Sequence, residues 1–247
     1  MAYVPLPVRQ ADVGAAVKGL AALGFRGASV TIPHKGAVLE HLDRVDGDAA
    51  LAEAVNTIVV GVGGELLGYN TDVGGVSAAL VDVCGDTLRG APGLLLGAGG
   101  AARAAALALA RLGVDLTVVN RTAAAAERLV ALTAAAVPGS ACRWLRLAEL
   151  TAAHVAAQRL LVNATSLGMD GAGKVPASLA DTVTAGQVVF DVVYTSSETD
   201  LLAQARARGA TVIGGLEMLV RQAAAAFELW TGRPAPLDVM RHAARQR

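Results

Sequence analysis

The chain has 247 residues, of which 54% are hydrophobic and 17% charged. Its 21 basic and 21 acidic residues balance, so it lacks the positive field that concentrates nucleic acid or an anionic membrane at a protein surface. The composition therefore predicts a globular protein with a sizeable core and argues against nucleic-acid and membrane partners. Cys84 and Cys142 lie far apart without a disulfide or metal-binding pattern, and the first residues lack a secretory leader, which predicts a cytoplasmic protein without a metal.

Short, apolar, mostly β-branched segments alternate along the chain with longer stretches rich in Ala, Leu and Arg. The short segments are typical of strands that are buried on both faces, as in parallel sheets. We predict strands at 28–32, 57–62, 93–96, 116–119, 160–163, 188–192 and 211–213. The longer stretches predict helices at 13–23, 101–112, 123–136, 200–208 and 216–230. This alternation predicts βαβ units and an α/β fold.

A loop at 83–92, rich in turn-forming residues, is the best candidate for a domain boundary. We place a first domain at 1–85 and a second at 86–215. The paired glycines Gly214 and Gly215 precede a long helical region, and we expect residues 216–247 to return to the first domain.

A glycine turn joins a predicted strand to a predicted helix, in the run Leu94-Leu-Leu-Gly97-Ala-Gly99-Gly100-Ala101-Ala102. This strand–turn–helix context is the one that a dinucleotide-binding fingerprint requires. Gly97 permits the tight turn, Gly99 lets backbone N–H groups approach a pyrophosphate, and the helix N-terminus favours negative charge. The alternative is a purely structural turn.

The next predicted strand ends in Asn120, Arg121 and Thr122 instead of the acidic residue that binds the ribose 2′-hydroxyl of NAD. A guanidinium group can donate a charge-assisted, bidentate pair of hydrogen bonds to a phosphate. Arg121 therefore favours NADP as the cofactor, while the alternative is an ordinary surface cation.

Three polar clusters follow apolar segments in the first half of the chain, at 29–35, 54–57 and 70–72. Lys35 and Asp72 in these clusters would suit an acid/base pair, because oxidation of a secondary alcohol needs a group that takes the hydroxyl proton. Taken singly, each is more often a solvated surface charge. His34 adjoins Lys35 but has no partner spacing for catalysis, so a structural role is favoured.

These motifs resemble the shikimate dehydrogenase family, including its quinate/shikimate relatives. The similar segments occur in family order and cover nearly the whole chain: 30–35 (VTIPHK), 54–57 (AVNT), 68–72 (GYNTD), 97–101 (GAGGA), 120–122 (NRT), 163–166 (NATS), 191–194 (DVVY) and 215–222 (GLEMLVRQ).

The resemblance implies reversible, NADPH-linked reduction of 3-dehydroshikimate to shikimate, on the route to aromatic amino acids. It implies that Lys35 and Asp72 form the catalytic pair, with Lys35 as the proton-transfer group. The implied substrate-binding residues are Thr31, Asn56, Tyr194 and Gln222.

The resemblance also implies an NADP site in a Rossmann-type domain, with the cleft between it and the substrate-binding first domain. The implied cofactor-binding residues are Gly97, Gly99, Gly100, Ala101, Asn120, Arg121, Thr122, Gly215 and Met218. In this assignment Asn120, Arg121 and Thr122 hold the 2′-phosphate and Met218 lies beside the nicotinamide.

Two family features are missing from the sequence. The Ser-x-Ser-Pro element, whose hydroxyls hold the substrate carboxylate, does not occur, and the run 123–126 contains alanine where many members carry another basic residue. We therefore expect weakened substrate binding and a phosphate clamp that rests mainly on Arg121. A quinate or amino-shikimate dehydrogenase and a catalytically weak NADP-binding module are the alternatives. An exposed sheet edge in the first domain would favour a homodimer.

Overall fold

The computed structural model describes residues 2–169, 171–195 and 197–246, which form a four-stranded and a six-stranded sheet with flanking helices. The four-stranded sheet has the order β1-β3-β4-β2. The elements of this half are α1 (Val13–Ala22), β1 (Gly27–Ser29), β2 (Arg44–Val45), α2 (Gly47–Leu51), β3 (Thr57–Val60), β4 (Leu66–Tyr69) and α3 (Thr71–Cys84).

The four-stranded sheet is mixed, so the prediction of parallel pairing for strands 28–32 and 57–62 is wrong. β3 pairs antiparallel with both β1 and β4, and only β2 pairs in parallel, with β4. The hairpin of β3 and β4 follows from the short connection between them, where Gly64 adopts a φ of 88°. So few residues can close a hairpin but cannot make the crossover that a parallel neighbour needs.

The six-stranded sheet is parallel throughout, with the order β10-β9-β8-β5-β6-β7. This confirms the predicted α/β fold. Because the chain runs outward from β5 in one direction and then from β8 in the other, a crevice forms between β5 and β8 at their carboxyl ends. The elements of this half are β5 (Pro92–Leu96), α4 (Gly100–Arg111), β6 (Asp115–Asn120), α5 (Ala123–Ala136), β7 (Cys142–Arg146), α6 (Ala152–Ala156), β8 (Leu160–Asn163), α7 (Ala177–Ala180), β9 (Val188–Asp191), α8 (Asp200–Ala207) and β10 (Thr211–Gly214).

Both faces of the parallel sheet are buried, as the continuous apolar runs predict. On β5, Leu95 enters the core that contains α4, α3 and Phe190, while Leu94 and Leu96 enter the core on the opposite face with α8. A third core fills the first half of the chain and includes Val17. Successive side chains of a strand point to opposite faces, so one strand serves two cores.

Two C-terminal helices, α9 (Gly215–Thr231) and α10 (Leu237–Arg245), complete the fold. α9 packs closely on α3, since a Cβ added at Gly75 would lie 3.2 Å from the carbonyl oxygen of Met218. At its far end the indole N–H of Trp230 donates to the carbonyl of Ile58 in β3 over 2.8 Å. The helix thus runs from the parallel sheet to the mixed sheet.

The predicted loop at 83–92 starts inside α3, which continues to Cys84, and it contains a 3-10 turn at Gly85–Leu88. The domain limits at residues 85 and 215 stay a prediction. In the part of the chain that the structure describes, no helix is long and apolar enough to cross a membrane.

Candidate active site

Lys35 and Asp72 form a close ion pair, although they are 37 residues apart in sequence. Lys35 follows β1 in a turn, and Asp72 lies in the first turn of α3. The ammonium Nζ donates to Asp72 Oδ2 over 2.5 Å, and the two side chains are 16% and 5% exposed. The N-terminal end of α3 favours the negative charge of Asp72. A mostly buried, ionised pair of this kind can hold a lysine amine in one orientation.

Asn56 fixes the other oxygen of this carboxylate. It is 3% exposed, and its Nδ2 donates to Asp72 Oδ1 over 2.8 Å and to Thr71 Oγ1 over 2.9 Å. Its Oδ1 accepts the backbone N–H of Thr71 over 2.8 Å. Gln222 Oε1 on α9 lies 3.3 Å from the same Nδ2. Asn56 therefore ties the first turn of α3, the Asp72 carboxylate and α9 together.

Asn70 is a positioning residue whose role the sequence motifs did not predict. Its Oδ1 caps α3 by accepting the N–H groups of Asp72 and Val73 over 3.1 and 3.4 Å. Its Nδ2 donates to the carbonyl of Ala54 over 2.8 Å. The signal was present, because Asn directly before a helix is a preferred N-cap. This cap sets where α3 begins and therefore where Asp72 points.

The glycine turn after β5 has one residue at which only glycine fits and one that faces open space. Gly97 has a φ of 114°, and a Cβ there would lie 3.1 Å from the carbonyl oxygen of Ala164. At Gly99 an added Cβ would meet no atom within 4 Å, and the residue is exposed. A Cβ at Gly100 would lie 3.4 Å from Lys35 Cδ. The turn thus leaves room for phosphates at Gly99 and touches the Lys35 stem at Gly100.

The residues after β6 also fit an NADP phosphate. Asn120 Nδ2 donates to the carbonyl of Thr122 over 3.0 Å, which closes the turn between β6 and α5. Arg121 in the middle of this turn is exposed and forms no side-chain hydrogen bond or ion pair with the described residues. Its guanidinium group is available to an anion at the carboxyl end of the sheet.

The start of α9 lies against the segment that follows β9. A Cβ at the buried Gly215 would lie 2.3 Å from the carbonyl oxygen of Val192, so only glycine fits there. Met218, one turn further, is 5% exposed and belongs to the core beside the sheet. Of the predicted substrate residues, Thr31 is exposed and Tyr194 is 54% exposed. The structure brings Asn56 and Gln222 to the ion pair, whereas Thr31 and Tyr194 form no hydrogen bond to it.

Asp191 organises the carboxyl ends of β8 and β9, a role that the sequence motifs did not predict. It is fully buried; its Oδ1 accepts from Asn163 Nδ2 over 2.9 Å and from the Val193 N–H over 3.1 Å, and its Oδ2 accepts from Thr199 Oγ1 over 2.7 Å. Burial raises the pKa of Asp191, while these hydrogen bonds lower it. Asn163 and Asp191 are the last residues of β8 and β9 and lie opposite each other in register. Their positions at the ends of two predicted strands were therefore a signal from which this contact could have been predicted.

His34 contacts the N-terminal segment and not the ion pair, with Nε2 2.9 Å from the carbonyl oxygen of Val8. Within the described ranges, no group of three or more His, Cys, Asp or Glu side chains could hold a metal ion.

Two family models match the chain. The shikimate dehydrogenase substrate binding domain matches residues 1–58, and the shikimate 5′-dehydrogenase C-terminal domain matches residues 215–245. A shikimate dehydrogenase (NADP(+)) of Salinibacter ruber is 50% identical over 239 residues, which cover 95% of this chain and 83% of the relative.

Solved structures give the same result. A shikimate dehydrogenase in complex with NADP+ superposes with a TM-score of 0.88 at 35% identity, over 98% of this chain and 83% of that one. A quinate dehydrogenase from Corynebacterium glutamicum in complex with NAD gives a TM-score of 0.87 at 33% identity, over 96% and 83%. The resemblance stated from the sequence motifs is confirmed, and the chain belongs to the shikimate dehydrogenase family.

Proposed function

We propose that the chain catalyses the reversible, NADPH-dependent reduction of 3-dehydroshikimate to shikimate, in the biosynthesis of aromatic amino acids. One observation carries this proposal: Lys35 joins an acid/base pair to a dinucleotide turn. Its amine is bonded to Asp72, and its methylene stem lies against Gly100 where α4 begins. The proposed proton-transfer group therefore lies beside the turn at which a dinucleotide would bind.

The residues at the carboxyl edge of the parallel sheet suit NADP. The open position at Gly99 and the N-terminus of α4 would hold the pyrophosphate. Asn120, Arg121 and Thr122 would hold the 2′-phosphate, and Gly215 and Met218 would border the nicotinamide end. Bound NADPH supplies the hydride that reduces the ketone carbon.

Lys35 supplies the proton. As the carbonyl carbon accepts the hydride, the Lys35 ammonium gives one proton to the carbonyl oxygen, so that the product hydroxyl forms and a neutral amine remains. Asp72 holds the amine in place by accepting its hydrogen bond, and Asn56 holds Asp72. Solvent returns the proton to Lys35. In the oxidative direction the amine takes the hydroxyl proton.

Among the predicted substrate-binding residues, Asn56 and Gln222 lie nearest to the Lys35–Asp72 ion pair. Their side-chain amides are within hydrogen-bond distance of each other beside Asp72. Thr31 and Tyr194 would contact the substrate from the exposed rims. The fold similarity to a quinate dehydrogenase supports quinate as the second candidate substrate.

The test is turnover of purified protein with shikimate or quinate and NADP, followed by absorbance of the reduced nicotinamide. We expect shikimate to be preferred and Lys35→Met to lower kcat about 10²- to 10⁴-fold, the range for loss of a general acid/base. NADP binding by this variant serves as the control for folding. Unchanged kcat in Lys35→Met contradicts the mechanism, and a preference for quinate contradicts the substrate assignment.

The cellular setting and assembly are part of the same proposal. Two free cysteines, one of them buried, suit a reducing cytoplasm. β1 and β2 are the edges of the mixed sheet, and pairing through an edge would give a homodimer. Light scattering on purified protein tests this, and a monomer at high concentration contradicts it.

A further inference from the structure

Three charged side chains meet beside the glycine turn, where the two halves of the chain contact each other. Glu53 precedes β3 in the chain. Its carboxylate lies 2.6 Å from a guanidinium nitrogen of Arg128 on α5 and 3.6 Å from a guanidinium nitrogen of Arg103 on α4. Two guanidinium groups thus share one carboxylate. The cluster carries one net positive charge, so it can accept a further anion.

A cavity of about 630 Å³ opens onto this cluster. Its lining includes all three charged residues together with Ala98 of the glycine turn and Ala125 of α5. This volume lies in the range of about 300 to 1,000 Å³ that small-molecule sites occupy. The cavity therefore links the phosphate-binding turn to the cation cluster.

Arg128 is the first basic residue of α5. The run 123–126 contains alanine only. Ala125 and Arg128 are three residues apart, so they lie on the same face of the helix. Helical side chains incline toward the N-terminus, which directs Arg128 back over Ala125 and toward the β6–α5 turn that holds Arg121.

Glu53 holds an unusual backbone conformation, and Arg103 keeps an unsatisfied donor beside it. Glu53 has a φ of 45°, the left-handed region that disfavours residues with a side chain, and among the described residues it is the only non-glycine with a positive φ. Arg103 Nε is buried without a hydrogen-bond acceptor. Burial lowers the pKa of Arg103, and the nearby Arg128 charge lowers it further, against the opposing effect of Glu53.

We propose that Arg128 and Arg103 form a second part of the site for the 2′-phosphate of NADP, and that Glu53 occupies these guanidinium groups until the phosphate displaces it. Glu53 then acts as an internal competitor that sets the preference for NADP over NAD. This inference rests on the proposed function, and it replaces the expectation that the phosphate clamp depends mainly on Arg121.

The experiment measures binding of two adenosine probes by calorimetry at fixed salt: adenosine 2′,5′-bisphosphate and 5′-AMP, which differ in the 2′-phosphate alone. We expect Arg128→Ala to weaken the bisphosphate about 10-fold or more, as loss of a charge-assisted hydrogen bond does, and to leave 5′-AMP unchanged. Glu53→Gln should tighten the bisphosphate, because it removes the competing charge.

Arg111→Ala is the matched control. Arg111 lies on α4 like Arg103 and pairs with Asp48 over 2.6 Å across the same junction, but it does not line the cavity. It should leave both probes unchanged. If Arg128→Ala does not fold, Arg128→Lys, which keeps the charge and loses bidentate geometry, should show a smaller loss for the bisphosphate only.

The inference is overturned if the Arg128 variant weakens both probes equally or neither, or if Glu53→Gln weakens the bisphosphate. In those cases the cluster has a structural role only, as a set of ion pairs that joins the two halves of the chain. Failure of the proposed function is distinguishable, because it appears as absent turnover of shikimate whatever the two probes show.

Discussion

Replacement of Gly99 by alanine separates the two uses of a glycine turn, ligand contact and backbone geometry. The added methyl group meets no atom within 4 Å, and the φ of −81° suits any residue. The free energy of unfolding should stay constant or rise by about 0.4 to 1 kcal/mol, because alanine restricts the unfolded chain. The methyl group would, however, stand where a pyrophosphate approaches the backbone. Loss of one charge-assisted hydrogen bond, about 1.5 to 3 kcal/mol, weakens NADP about 10- to 150-fold.

Gly97→Ala is the contrasting variant. Here φ is 114° and the new Cβ would lie 3.0 Å from Thr165 Cγ2 and 3.1 Å from the Ala164 carbonyl oxygen. We expect this variant to lose more than about 1 kcal/mol of stability before any ligand is added. Urea unfolding without NADP and calorimetric titration with NADP measure the two effects separately. Wild-type NADP affinity in Gly99→Ala would refute the phosphate-binding role of this turn and leave the purely structural one.

Three further predictions concern a buried amide, an ion pair and a thiol. Asn56→Ala should cost about 2 to 4 kcal/mol in urea unfolding, because it leaves buried partners on Asp72 and α3 unpaired, and an unchanged stability would contradict the network. The hydrogen bond from Arg241 lowers the pKa of Glu217, so its stabilisation is present above the ordinary value of 4.5 and is lost as pH falls through the folded value. The stability difference between wild type and Glu217→Gln should therefore shrink below about pH 4.5, and a constant difference would contradict this. Burial raises the pKa of the Cys142 thiol to about 11, so it should react far more slowly with a disulfide reagent at pH 8 than in urea, and equal rates would contradict this.

Most strands of the parallel sheet were readable from the sequence because their signals are local, although its edge strand β7 and the short helices α6 and α7 were not predicted. The strand at 160–163 and the helix at 123–136 have the predicted bounds, and the helix predicted at 216–230 extends by one residue at each end. A continuous apolar run strongly favours a buried strand, and an uninterrupted run of helix-forming residues strongly favours a helix, so few alternative secondary structures compete. The short strands β2 and β4 and the helix α3 were not predicted, since they contain glycines or too few residues to show a period.

The sequence by itself determined the α/β class, the dinucleotide turn and the residue types available for proton transfer, because these depend on residues that are neighbours in the chain. Only the tertiary structure decided that Lys35 reaches both Asp72 and the glycine turn, and that Asn56 meets Gln222 across 166 residues. It also decided that Arg128 shares Glu53 with Arg103. The physical reason is that such contacts depend on how helices and sheets pack, and side chains distant in sequence carry no local signal of the distance between them.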